Sequence, residues 1–171
     1  MAVTSSDRPT VSRPVVSPRA ADAALAALRI MAGLVILQHG FQKMFGMFGG
    51  AGGVPGARAA FGTQSGYAAV LEMLGILIAL GLFTRPVAFL LSGEMAVAYF
   101  QFHFPRGFAP LTNHGEVPVL LCFIFLYLAV VGGGRYSIDG LARTSREWRS
   151  GVRDSYADVQ RRAAEEDAAG R

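Results

Sequence analysis

One cysteine, three histidines and a charged fraction of only 16% are what this 171-residue sequence has little of. The lone Cys122 lies in the middle of an apolar run, which excludes an intramolecular disulfide and any CxxC redox pair and leaves a small packing residue. Phosphate-loop, dinucleotide-binding and nucleophile-elbow patterns are absent, and with them the usual grounds for nucleotide-driven or hydrolytic chemistry. No HxxxH or HxxE spacing links His39, His103, His114 and Glu116 within one helix, so no metal site is expected. There is no internal repeat.

Hydrophobic residues make up 52% of the chain, and the charges sit mostly outside residues 23–134. That distribution is the mark of a membrane protein. Four apolar segments stand out, Ala23–Phe48, Gln64–Phe83, Pro86–Phe102 and Glu116–Val131. A membrane span takes about 20 apolar residues, so the first two suffice outright and the last two are short but adequate. The expected fold is all-α, a polytopic four-helix transmembrane bundle. Residues 1–22, rich in Arg, Pro, Ser and Thr, read as a disordered tail, and residues 135–171 as a basic C-terminal segment. The first apolar run is too long for a signal peptide and lacks a small-residue cleavage site, so it is read as an uncleaved anchor.

Arginine placement sets the expected orientation. Arg8, Arg13 and Arg19 precede the first span, Arg85 lies between spans two and three, and the C-terminal segment holds eight arginines. The other connections carry only Arg58 and Arg106. Both termini should therefore be cytoplasmic, and the protein should reside in the lipid bilayer of a cell's inner membrane. The net charge of +4 flanks spans rather than an aromatic platform, which speaks against nucleic acid as a partner. Wound as a helix, the C-terminal segment puts Leu141, Trp148, Val152 and Val159 on one stripe and Arg143, Arg146, Arg149 and Arg153 on another face, a pattern suited to an anionic membrane surface.

Polar groups inside the spans need a reason, because a central charge costs about 2.5–3.5 kcal/mol to insert. Arg29 and Lys43 in the first span face Glu72 in the second and Glu94 in the third. From a rise of about 1.5 Å per residue, Arg29 and Glu94 belong to the inner half and are expected to form a structural ion pair. His39, Lys43 and Glu72 belong to the outer half. Gly33 and Gly40 share the face of Arg29 and Lys43, while Ser65, Ala68, Gly75 and Ala79 share that of Glu72, as close helix packing requires. Gln101 shares the face of Glu94, and His103 points nearly opposite. Asn113 and Glu116 resemble a capping box, with Pro118 in the first turn of the last span.

The segments "RIMAGLVILQHGFQKMFGMFGG", "LEMLGILIALGLFTRPVA", "EMAVAYFQFHFPRGFAPLTNHGE" and "YSID" resemble the DoxX family of small bacterial inner-membrane proteins, over residues from about 25 to 140. The matching positions are Arg29, His39, Gly40, Lys43, Gly46, Glu72, Arg85, Glu94, His103, Pro105, Asn113 and Glu116. The chain departs from the family pattern at His114, where glycine is common. The resemblance implies a four-helix bundle tied to redox physiology. Its relatives include a small subunit of thiosulfate:quinone oxidoreductase and members of a membrane complex with superoxide dismutase and a sulfurtransferase.

Three functions stay open. In the first, the chain is a non-autonomous oxidoreductase subunit without a cofactor of its own. His39, Lys43 and Glu72 then form a quinone and proton-relay cluster, and Gln42, Glu94, Glu116 and His103 are further ligand-binding candidates. In the second, the same residues line a small proton-coupled transporter, which with four short spans would work as a homo-oligomer. In the third, the C-terminal segment recruits soluble redox enzymes to a membrane scaffold.

Overall fold

A computed structural model describes residues 17–169, and every regular element among them is helical. The expected tail over 1–22 lies outside the described residues as far as residue 16. Its last part is already helix: α1 runs Pro18–Phe45, opened by Ser17, whose hydroxyl oxygen accepts from the Ala20 N–H at 3.2 Å. Gly46, at φ +71°, closes α1, the left-handed conformation in which glycine costs least. The second apolar segment is two helices, α2 (Gln64–Met73) and α3 (Gly75–Leu80), joined at Leu74. Then follow α4 (Thr84–Ala98), a π-helical turn over Tyr99–His103, a short α5 (Pro110–Asn113), α6 (Glu116–Val131) and α7 (Ile138–Ala169).

Two stretches, Pro18–Phe45 and Thr84–Arg106, are long and apolar enough to cross a membrane, and Gln64–Leu80 and Glu116–Val131 are shorter apolar helices. Their bulky side chains split between two environments. Ile36, Ile78, Leu91, Phe125 and Leu128 are buried between helices. Met31, Val70, Phe89, Leu120, Phe123 and Val130 are exposed on the outside, where lipid rather than water would suit them.

Close approach holds α1 to α2 and α3. A Cβ on Gly33 would lie 2.6 Å from the Gly75 carbonyl oxygen, and one on Gly75 would lie 2.6 Å from the Ile36 side chain. The small residues on the charged stripes thus do what close packing asked of them. On the other side of the core α4 pairs with α6, where the Ser92 hydroxyl donates to the Cys122 carbonyl at 2.9 Å. Cys122 is partly buried against this core, in keeping with its reading as a packing residue.

Arg29 is not paired with Glu94. It is 2% exposed and spreads its guanidinium over three carbonyls, those of Ile78 (2.8 Å), Ala79 (2.7 Å) and Tyr136 (2.8 Å). The expected pair fails because Glu94, ten residues into α4, lies with Lys43 and Glu72, while Arg29 contacts the last turn of α3. Arg29 therefore lies level with the end of α3. There it supplies donors to carbonyls that a helix C-terminus leaves open.

The neighbouring α4 lacks a side-chain cap of its own, and its preceding residue Phe83 has φ +49°. Asp139, from the "YSID" stretch, supplies the cap from across the fold. It accepts from the N–H groups of Phe83 (3.0 Å) and Thr84 (2.9 Å) and from the Thr84 hydroxyl (2.8 Å), while its own N–H donates to the Gly81 carbonyl at 2.9 Å. Burial pushes the Asp139 carboxyl up, but the Thr84 and Phe83 hydrogen bonds and nearby Arg143 outweigh it and hold it below the usual carboxylate range.

Replacing Arg29 by Met removes the guanidinium donors from the Ala79 and Tyr136 carbonyls and leaves Ile78 only the Gly81 N–H, a loss of about 1–3 kcal/mol for each carbonyl stranded. R29M should therefore markedly lower the thermal unfolding temperature of the full chain in detergent, and R29K, which lacks the fork, should restore it only in part. A depressed carboxyl stabilises the fold above the ordinary aspartate value of about 3.9 and loses that contribution as pH falls through its folded value. Unfolding temperature followed against pH should thus drop below about pH 4 in the wild type, and D139N should start lower at neutral pH and be flatter in that window.

Candidate functional site

At the other end of the bundle the helices enclose polar groups. Lys43, in the last turn of α1, donates to Glu72 Oε1 at 2.5 Å, with the glutamate side chain 3% exposed and the lysine 26%. The pairing read from the sequence is formed. Glu94 lies close by, on α4, rather than in the inner half. Both of its carboxylate oxygens, and Oε2 of Glu72, are buried without a hydrogen-bond partner among the described residues. One lysine thus faces two carboxylates, an arrangement that accommodates a proton or a donor from a ligand.

Two adjoining cavities meet at this pair. The larger, about 570 Å³, lies between α2 and α4, with Tyr67, Ala68, Leu71, Val97 and Phe102 in its apolar wall, Lys43, Glu72, Glu94 and His103 as its ionisable groups, and Gln64 and Ser65 beside them. The smaller, about 300 Å³, is bordered by Ile36, Leu121 and Pro118 and by His39, His103 and His114. They share Lys43, Glu72, Met95, Ala98 and His103. All three histidines of the chain thus reach one chamber from α1, the π-helical turn and the loop before α6. No group of three His, Cys, Asp or Glu with metal-binding geometry occurs among the described residues.

The π-helical turn accounts for His103. Counted at 3.6 residues per turn, His103 falls opposite Glu94. The wider turn over Tyr99–His103 resets the register and brings the imidazole to the wall that Glu94 lines, with Nδ1 3.0 Å from the Asn113 carbonyl oxygen. Gln101, expected beside Glu94, is exposed and is instead the partner of Gln64. The sequence carries no signal for such a turn beyond the aromatic run "YFQFHF".

Other candidates fall elsewhere. His39 lines the smaller cavity but makes no hydrogen bond to Glu72 among the described residues. Gln42 turns away, donating to the Phe48 carbonyl at 3.3 Å, and so steadies the start of the glycine-rich loop. Glu116 is exposed in the first turn of α6 and lines neither cavity, and its charge there complements the helix dipole. The capping box is not formed. Gly115 precedes α6 without a side-chain cap, and Asn113, fully buried, donates to the Gly107 carbonyl (2.6 Å) and accepts from the Gly115 N–H (2.8 Å). It thereby folds the loop that carries His114. His114 sits at φ +58°, a conformation glycine adopts freely, so its imidazole on the cavity wall comes with backbone strain.

A family model described as DoxX matches residues 24–104, which include Arg29, His39, Lys43, Glu72, Glu94 and His103. A Haemophilus influenzae (strain ATCC 51907 / DSM 11121 / KW20 / Rd) protein described as uncharacterized is 40% identical over 123 residues, 67% of this chain and 87% of that protein. The chain belongs to the DoxX family. Membership makes it a DoxX-like membrane protein, in keeping with its two long apolar helices and its apolar outer surface. No solved structure matches it. The matched region of this DoxX chain ends just past His103, so the family model takes in the Lys43–Glu72–Glu94 cluster but not the Asn113 loop or Asp139.

A double-mutant cycle tests the pair. K43M leaves Glu72 buried without its cation and should cost on the order of 3 kcal/mol, whereas K43M/E72L should recover most of the loss. Unfolding of the four proteins in one detergent measures the coupling, and additive losses would contradict it.

Proposed function

We propose that this DoxX protein crosses the bacterial inner membrane four times, with both termini in the cytoplasm. We further propose that its outer-half chamber binds a quinone or similar small lipid-soluble oxidant, as the membrane subunit of a redox complex. The topology is supported by the arginines at the end carrying Arg29 and Asp139, and by exposed apolar side chains along all four apolar segments.

The observation that carries the ligand reading is the larger cavity. Its volume of about 570 Å³ and its apolar wall suit a ring compound, and its polar groups converge from α1, α2, α4 and the π-helical turn. Tyr67 and Phe102, both more than half exposed, flank it on the outside of the bundle, where a lipid-soluble molecule would enter. Lys43 donates to a ring carbonyl oxygen, while His103, whose Nδ1–H is given to the Asn113 carbonyl, offers Nε2 as an acceptor for the quinol hydroxyl. Reduction to the quinol takes two electrons and two protons. Glu72 and Glu94 pass the protons to the ring oxygens, and a redox partner supplies the electrons, since a chain with one cysteine has no dithiol couple of its own. Soluble enzymes such as the superoxide dismutase and the sulfurtransferase implied by the resemblance are the partners to look for.

The C-terminal helix supports a lipid contact on the same reading. Leu141, Trp148, Tyr156 and Val159 are each more than 60% exposed along α7, beside Arg146, Arg149 and Arg153. This stripe lies on the anionic inner leaflet.

Titration of a short-chain quinone into the full chain in nanodiscs tests the chamber. The wild type should bind, and E94Q and K43M should weaken binding at least about tenfold, equivalent to about 1.4 kcal/mol. Equal affinity in all three would refute the site. Trp148 is the chain's sole tryptophan. Its fluorescence should be quenched by brominated lipids in phosphatidylglycerol nanodiscs and much less in phosphatidylcholine; no quenching in either would leave α7 free of the membrane.

A further inference from the structure

At the end of the bundle away from the histidines, a separate cavity of about 390 Å³ lies over the start of α4, lined by Arg85, Arg143, Thr84, Asp139 and the Gly132–Gly133 backbone. Its one carboxylate is occupied, since Asp139 accepts from the Phe83 and Thr84 N–H groups and the Thr84 hydroxyl. Arg85 and Arg143 form no salt bridge with any described residue. Two guanidinium groups thus border one cavity, Arg85 in no salt bridge with a described residue and Arg143 acting on Asp139 only at a distance. The backbone is shaped for this. A Cβ on Gly132 would come within 3.2 Å of Arg85 Nε, so the glycine lets the arginine stem lie against the chain.

The chemistry that two planar donor forks recognise is a tetrahedral oxyanion, and phosphate above all. The surroundings identify its source. Phe83 is 64% exposed at the cavity edge, and Phe89, one turn beyond Arg85 on α4, is 67% exposed. Exposed aromatic surface next to a dibasic cavity, where apolar helices end, is the setting of a lipid headgroup with its acyl chains alongside.

We propose that Arg85 and Arg143 bind a phosphate group, supplied by an anionic phospholipid, and so clamp the α6–α7 junction to the start of α4. The site is distinct from the chamber at Lys43 and does not depend on what that chamber binds.

Native mass spectrometry of the full chain, purified in mild detergent and titrated with phosphatidylglycerol or phosphatidylcholine, tests it. The wild type should favour phosphatidylglycerol at least about tenfold, and R85Q/R143Q should lose that preference. R85K/R143K, which keeps both charges, should retain part of it and guards against simple misfolding. Displacement of the lipid by millimolar inorganic phosphate would show that the phosphate group alone is recognised. Persistence of the lipid, with its dependence on the arginines intact, would show that the acyl chains contribute as well. Equal binding of the two lipids, or undiminished phosphatidylglycerol on a folded R85Q/R143Q, would overturn the proposal.

Discussion

The guanidinium of Arg29, shared among the carbonyls of Ile78, Ala79 and Tyr136, is the contact on which the rest of the bundle depends. In an apolar surrounding a helix cannot end on open carbonyls without a large cost, because no water reaches them. One buried cation serves the end of α3 and the segment after α6 together, and ties both to α1. Asp139 does the opposite for the start of α4, presenting acceptors to N–H groups. A cation thus sits at a helix C-terminus and an anion at an N-terminus, each where the helix dipole favours it. With this end closed by polar contacts and the middle by Gly33 against Gly75, the remaining ionisable groups of the bundle gather at the opposite end, around Lys43.

Those groups form a graded set. Lys43 and Glu72 neutralise each other, Glu94 has no hydrogen-bond partner among the described residues, and His103 reaches both cavities because the helix widens just before it. A π-helical turn is less favourable than a continued α-helix, so its presence beside the two carboxylates is paid for by what it positions. The strained His114 follows the same logic from the other side of the chamber.

Much of this was legible in the sequence. Apolar run lengths gave the helices, and the stripe of Gly33, Gly40 and Lys43 gave the face that packs on Gly75 and Glu72. The Lys43–Glu72 pair followed from depth and facing together. The placement of Glu94 and the partner of Arg29 did not follow, because a rise per residue gives depth only from an assumed span edge, and the helical stretch that carries Glu94 runs Thr84–Arg106, which sets Glu94 near its middle. His103 was misplaced for a related reason, since a wheel drawn at 3.6 residues per turn cannot contain a π-helical turn. Asp139 had no signal in hydropathy at all. Its role lies in three hydrogen bonds to residues more than fifty positions away, and the family-like "YSID" stretch contains it without marking it as a cap.

The central claim is that the chamber around Lys43, Glu72 and Glu94 holds a lipid-soluble redox molecule in the native membrane. Extraction of the full chain from its own membrane in mild detergent, followed by identification of the small molecules and proteins that come with it, measures this most directly. The account predicts a quinone in near-equimolar amount with the wild type and strongly depleted from folded E94Q. Equal quinone content in the two, or none in either, would contradict it.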